Sequence, residues 1–179
     1  MLFVRIGCQL LELLTESEAG KQVLREHKLI KEIAELLNKA KDETKDTPFF
    51  TRERMLKTMT REYFALLGVL TKSKFGQELL TEHQVFTSLR AICERSQRED
   101  IINAILVSLD YERKPESQAI LSTVLTSAKS AVIRYLATRH LRHLLRSGIA
   151  EFDQWGVDLL QVLFILIVFS LLQVLLTNV

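Results

Sequence analysis

Proline is almost missing from this chain, with two in 179 residues, and only six glycines and one tryptophan occur. Few helix breakers and 47% hydrophobic residues describe a globular, helical protein. Cysteine is equally sparse, and two thiols make no disulfide framework. Cys8 and Cys93 both fall on apolar positions, as reduced core residues of a reducing compartment do. Nor does one sign of charge dominate. A net charge of +2 with a pI near 8.6 gives no electrostatic footprint for nucleic acid. No G-x-S-x-G, H-E-x-x-H, P-loop or G-x-G-x-x-G spacing occurs, so no catalytic or cofactor-binding residue is assigned. At 179 residues the chain holds one core-bearing domain or a short repeat array.

What the chain does contain, it contains twice. Leu10 to Asn38 and Leu66 to Glu94 align at a shift of 56 positions. In the first copy Leu10, Leu11, Leu13, Leu14, Thr15, Ser17, Gly20, Leu24, Glu26 and His27 face Leu66, Leu67, Val69, Leu70, Thr71, Ser73, Gly76, Leu80, Glu82 and His83 in the second. Long-period self-similarity marks stacked units, each exposing an apolar face that a neighbour covers. Spacings of three and four within each copy predict three helices per unit. Ser17 and Ser73 are placed to cap a short second helix. Gly20 and Gly76 sit inside it, where glycine costs about 1 kcal/mol relative to alanine unless close packing compensates. His27 and His83 fall where that helix ends, at the negative end of its dipole.

Along the rest of the chain, Met1 to Leu14 starts mid-pattern, as a helix inside a longer parent would. Arg5 and the lack of a small-residue cleavage site argue against a secretory signal. Lys39 to Asp46 reads as a charged linker, and Thr47 with Pro48 as the start of the next helix. A degenerate third unit is expected from about residue 120, where Leu125-Thr126-Ser127 echoes the earlier Leu-Thr junctions. On the helix after it, Arg139, Arg142 and Arg146 lie opposite the apolar face. They form either a basic surface for an acidic partner or a solvated stripe near a helix C-terminus. His140 and His143 are three apart, but two imidazoles beside arginines make no zinc site. From Leu159 to Val179 no charge occurs, a length and apolarity sufficient for a membrane-spanning helix. The expected division is therefore a repeat body over 1–158 and a hydrophobic tail over 159–179.

Several of these stretches resemble one family. TREYFALLGVLTKSKFGQELL from Thr60, LLTESEAGKQVLREHKLIKEIAELL from Leu13, Ser108-Leu109-Asp110-Tyr111, ATRHLRHLLRSG from Ala137 and FDQWGVDLL from Phe152 are similar to the middle region of the Rictor family, in matched order. The resemblance implies an all-α, armadillo/HEAT-like helical-repeat solenoid. It further implies a non-catalytic, cytoplasmic scaffold segment of the rapamycin-insensitive TOR kinase complex. Its partners there would be the TOR kinase and the other subunits, with signalling to AGC kinases, growth and actin organisation. Past Leu160 the family continues as soluble repeat, whereas this chain turns to the hydrophobic tail, read as a buried helix, as an altered terminus, or as a membrane anchor beneath a protein-binding head.

Overall fold

The computed structural model describes residues 2–41, 49–112, 114–149 and 152–177, and of residues 152, 153, 166, 167 and 169–177 it describes the backbone alone. Among the described residues there are eleven α-helices and no strand. They are α1 (Leu2–Glu16), α2 (Glu18–Glu26), α3 (Leu29–Ala40), α4 (Arg52–Lys57), α5 (Glu62–Lys72), α6 (Lys74–Glu82), α7 (Val85–Arg95), α8 (Glu99–Ser108), α9 (Pro115–Ser127), α10 (Ala131–Arg146) and α11 (Phe152–Thr177). The charged linker and the Thr47-Pro48 boundary lie outside the described residues, apart from Lys39 to Lys41. The first residues after the gap enter α4 through Thr51, whose hydroxyl accepts from the Arg54 N–H at 3.3 Å.

These helices stack in two rows. One runs α1, α5, α8, α10 and the other α3, α7, α9, α11, each helix packing on the next in its row. The short helices α2 and α6 pack against α1 and α5, at equivalent places in the two copies. The seam between the rows holds Leu11, Ile30, Leu67, Leu70, Leu89, Ile105, Leu121 and Val124, all buried. Burial of such side chains contributes about 1.5–3 kcal/mol each before the ordering cost. The layering therefore has the periodicity of the sequence, and the all-α helical-repeat solenoid is the observed fold.

The contacts also show how the third layer is made. α8 lies on α5 as α5 lies on α1, and α9 lies on α7 as α7 lies on α3. Residue 120, where the degenerate unit was expected to begin, falls in the middle of α9. Between α8 and α9 the described connector residues 109–112 and 114 form no short helix, where the first two layers carry a serine-capped one.

Glycine marks the closest approaches. A Cβ at Gly76 would overlap the Leu70 carbonyl oxygen, and one at Gly20 the equivalent Leu14 carbonyl oxygen. A Cβ at Gly68 would overlap the Ser108 carbonyl oxygen, so α8 rests directly on the α5 backbone. The aligned residue in α1 is Glu12, whose carboxylate reaches the Lys72 ammonium at 3.4 Å, so this point of α1 has room for a long side chain. Gly7, by contrast, meets only Leu66 Cδ2 at 3.9 Å.

Among the described residues no helix is long and apolar enough to cross a membrane. The tail segment 159–179 lies largely beyond the residues whose side chains are described. Cys93 is buried and free, and burial first, with the Glu94 carboxylate second, pushes its thiol up to about 12; Cys8 is half-buried and free.

Gly68→Ala is expected to lower unfolding free energy by about 2 kcal/mol or more, through overpacking against immobile backbone. Gly7→Ala, in the open interior of a helix, is expected to raise it by about 0.5–1 kcal/mol. Urea titration of the two variants checks both signs, and a stabilised Gly68→Ala protein contradicts the close α5–α8 contact.

Candidate interaction surfaces and the node that sets them

The repeat residues occupy equivalent positions in the two copies. The hydroxyl of Ser17 accepts from the Gly20 N–H at 3.0 Å, and that of Ser73 from the Gly76 N–H, also at 3.0 Å. Each satisfies one of the four N–H groups that a helix start leaves without an intrahelical partner. His27 and His83 donate their backbone N–H groups to Val23 O and Leu79 O, at 2.9 and 3.2 Å. The following turns differ. Lys28 is right-handed while Gln84 has φ 56, a left-handed conformation in a residue that is not glycine. His83 lines a shallow groove with Lys31, Glu35 and Asn38 of α3, whereas His27 is exposed.

Sequence reasoning passed over Thr71. Its side chain is fully buried at the end of α5, donates to Gly68 O at 2.6 Å and accepts from the Asp110 N–H at 3.0 Å. Around it, Gln77 Nε2 donates to Thr71 O at 2.8 Å and Lys114 Nζ to Lys72 O at 3.4 Å. Three chain segments thus meet at the C-terminus of α5: the helix end itself, α6 and the connector after α8. The Ser108-Leu109-Asp110-Tyr111 segment supplies much of this node. Ser108 lends the carbonyl against Gly68, Leu109 is buried, and Asp110 binds Thr71 and accepts from the Glu112 N–H at 3.1 Å. Tyr111 is 2% exposed and its hydroxyl donates to Leu106 O at 2.9 Å. Burial, with the Cys93 thiol second, holds that phenol well above the usual tyrosine range. The recurrence of Leu-Thr in both copies was the available signal for Thr71, since Thr15 also caps back, onto Glu12 O at 2.7 Å.

The three arginines sit on α10. Arg139, Arg142 and Arg146 are all exposed on one side of it, while Ile133, Ala137, Leu141 and Leu144 are buried on the other. No acidic residue lies on this helix. Its last turn carries His143 and Arg146, where cations suit the dipole, and Gly148 at φ 64 then turns the chain. His140 faces inward, its ring 5.2 Å from Tyr111 and 6.4 Å from His143. Its Nε2 is buried with no hydrogen-bond partner among the described residues. Desolvation first, then the neighbouring His143 and Arg139, lower its pKa to about 4. The two histidines therefore point to different surroundings, one a ring stack and the other solvent.

The end layers present a different surface. On α1, Phe3, Ile6, Leu10 and Leu13 are exposed, and on α11 so are Val157, Leu160, Phe164, Ile165 and Val168. Between α1, α2, α3 and α5 lies an apolar cavity of about 220 Å³ with Leu10 and Leu29 at its exposed rim.

Stacked helices in two rows closed by a shared apolar seam define an all-α helical-repeat solenoid. Within that class the chain belongs to the Rictor family. Residues 41–145 match the family described as "Rapamycin-insensitive companion of mTOR, middle domain". The chain is 39% identical over 173 residues to Protein pianissimo A of Dictyostelium discoideum, covering 88% of this chain and 15% of that protein. It is 34% identical over 162 residues to Target of rapamycin complex 2 subunit ste20 of Schizosaccharomyces pombe, covering 88% of this chain and 12% of the relative. Against Rapamycin-insensitive companion of mTOR of Mus musculus it is 36% identical over 155 residues, 87% of this chain and 9% of that protein. The chain thus spans a small fraction of the length of these curated relatives.

Thr71→Val keeps the shape but leaves the Asp110 N–H without its acceptor, and should cost about 1–3 kcal/mol. Thr15→Val, where the hydroxyl serves only its own helix, should cost no more than about 1 kcal/mol. Equal losses in denaturant titrations would remove the node at the end of α5. His140 makes a second prediction. Its folded pKa lies below the unfolded value near 6.5, so the unfolded chain binds the extra proton between pH 6.5 and 4. The stability contributed by neutral His140 is complete above pH 6.5 and falls away toward pH 4, by at most about 3 kcal/mol. Unfolding titrations across that range should show the loss, and His140→Phe should flatten it.

Proposed function

We propose that this chain is a middle-region segment of the scaffold subunit of the rapamycin-insensitive TOR complex, acting by presenting surfaces and not by catalysis. The observation that carries this reading is the family match over residues 41–145, from α4 into α10, which holds the middle layers of the stack. Relatives named as subunits of target of rapamycin complex 2 align over most of the chain and support it. In this reading the partners are the TOR kinase and the other subunits, the compartment is the cytoplasm, and the outcome is support of signalling to AGC kinases, growth and actin organisation. The division into a repeat body over 1–158 and a hydrophobic tail over 159–179 belongs to the same proposal.

Physical features of the repeat fit such a role. A solenoid offers long side surfaces whose exposed positions vary without touching the seam, so binding specificity is separable from folding. The stripe of Arg139, Arg142 and Arg146 is one such surface, and its matched chemistry is an acidic segment of a protein partner. Nucleic acid is not proposed, because the near-balanced charge and a single basic helix fall short of the electrostatic footprint it requires.

The test is recovery of the TOR kinase with the tagged chain from cell extract, beside the full-length scaffold as a positive control. Co-recovery that weakens when all three arginines become glutamate supports both the complex and the stripe. Failure to recover the kinase, where the full-length scaffold succeeds, would show that this segment does not carry the binding surface.

A further inference from the structure

The flank of the first row is uncovered in the middle of the stack. α8 packs on α5 to one side and on α10 to the other, and touches α4 and α7 besides. Its one free side carries Glu99 and Val107 with the half-buried Asp100 and Asn103, and Val107 is 50% exposed. Neighbouring layers on both sides leave this valine in water.

Helical geometry shows which residues of α10 share that flank. His140 points toward the connector after α8, its ring against Tyr111, while the buried Ala137 and Leu141 are left for α9 and α11 of the other row. At about 100° per residue, Val132, Arg139, His143 and Arg146 lie about 140–180° from Leu141 and about 60–120° from His140. They therefore point sideways, away from the other row and across the stacking direction, where no layer of the stack is added. All four are exposed, and the half-buried Leu136 lies between them and the α8 side. Arg142, about 160° from His140, points away from α8 and stands outside this flank.

The flank has an apolar part in Val107, Leu136 and Val132 and a cationic part in Arg139, His143 and Arg146. α10 holds no acidic residue, and among the described residues no carboxylate pairs with Arg139 or Arg146. On α8, Asp100 is already held by Arg98 at 2.6 Å. The positive charge is thus uncompensated, whereas Lys21, Lys57, Lys72, Lys74, Arg90 and Arg98 each have a carboxylate within the chain.

We propose that the α8–α10 flank receives an acidic amphipathic helix of a protein partner, its apolar side on the valines and Leu136 and its carboxylates on Arg139, His143 and Arg146. This rests on the reading of the arginine stripe as a surface for an acidic protein segment and gives that segment its form. The cations recur at intervals of four and three along α10, the same intervals at which one side of a second helix lying along it repeats its carboxylates. Exposed ion pairs alone contribute little, so the apolar contact supplies affinity and the charges supply register.

Binding of synthetic labelled peptides to the purified whole chain tests it. One peptide, of about five helical turns, has leucine on one side and glutamate on the other; a second has the same composition in scrambled order. The expected result is binding of the first at least about tenfold tighter than of the second. Val107→Ser with Val132→Ser, and separately Arg139→Gln with Arg146→Gln, should each weaken the first by about fivefold or more. All four positions are exposed, and circular dichroism verifies that helix content is kept. Equal binding of the two peptides overturns the proposal, as does an absence of binding or a pair of variants that bind as the unmodified chain does. Binding of phosphatidylserine vesicles that the same variants abolish, with no preference for the amphipathic peptide, would make the flank a lipid surface and overturns it too. The assay holds no TOR kinase, so its failure leaves the place of the chain in the complex standing, and failure to recover the kinase leaves this result standing.

Discussion

Backbone-to-backbone contact at Gly68 is the constraint on which the third layer depends. Because the Ser108 carbonyl rests where a side chain would be, α8 sits against α5 close enough for the connector after it to reach Thr71. That hydroxyl is then satisfied as donor and acceptor at once, inside a region where a lone polar group would cost about 1–3 kcal/mol. Tyr111 follows two residues after Leu109 and is buried, its ring meeting that of His140 on α10 at a tilt of 58° and 5.2 Å. A contact made possible by one missing Cβ thus propagates through Asp110 and Tyr111 into the placement of the fourth layer.

The first two layers were legible because each carries its own copy of the instructions. Leu-Thr, then serine, then glycine three residues on, specify a helix end, a capped start and a close approach, and two occurrences 56 residues apart identify the unit. The third layer was not legible in the same way. α8 and α9 keep the apolar positions that face the seam, but the described connector residues 109–112 and 114 form no short helix, so the marker residues are missing there. Periodicity reports which face is buried; it does not report which helix of an earlier layer occupies the same row.

The surfaces divide along a similar line. Exposure of Arg139, Arg142 and Arg146 follows from helical spacing alone, since Ala137, Leu141 and Leu144 claim the other side of α10. The inward turn of His140 could be anticipated from its place one residue before Leu141, while its stack on Tyr111 could not, because 29 residues separate them in the chain. Equally hidden was the unequal fate of aligned leucines. Leu10 and Leu66 carry the same pattern, and only the position of a layer within the stack decides which of them meets water.

That inequality has an energetic side. In a linear array each layer is stabilised by its own fold and by the interfaces on either side, so an interior layer has two interfaces and an end layer one. The α5–α7 layer has α1 and α3 on one side and α8 and α9 on the other. Among the described residues the α1–α3 layer packs on α5 and α7, borders a half-open apolar cavity of about 220 Å³, and leaves Leu10, Leu13 and Leu29 exposed. Unfilled apolar volume removes dispersion contacts and costs about 24 cal/mol per Å³ in cores where it has been measured. Within this chain the α5–α7 layer is therefore packed on two sides and the α1–α3 layer on one, as the burial of Val69 and Val85 against the exposure of Leu13 and Leu29 records.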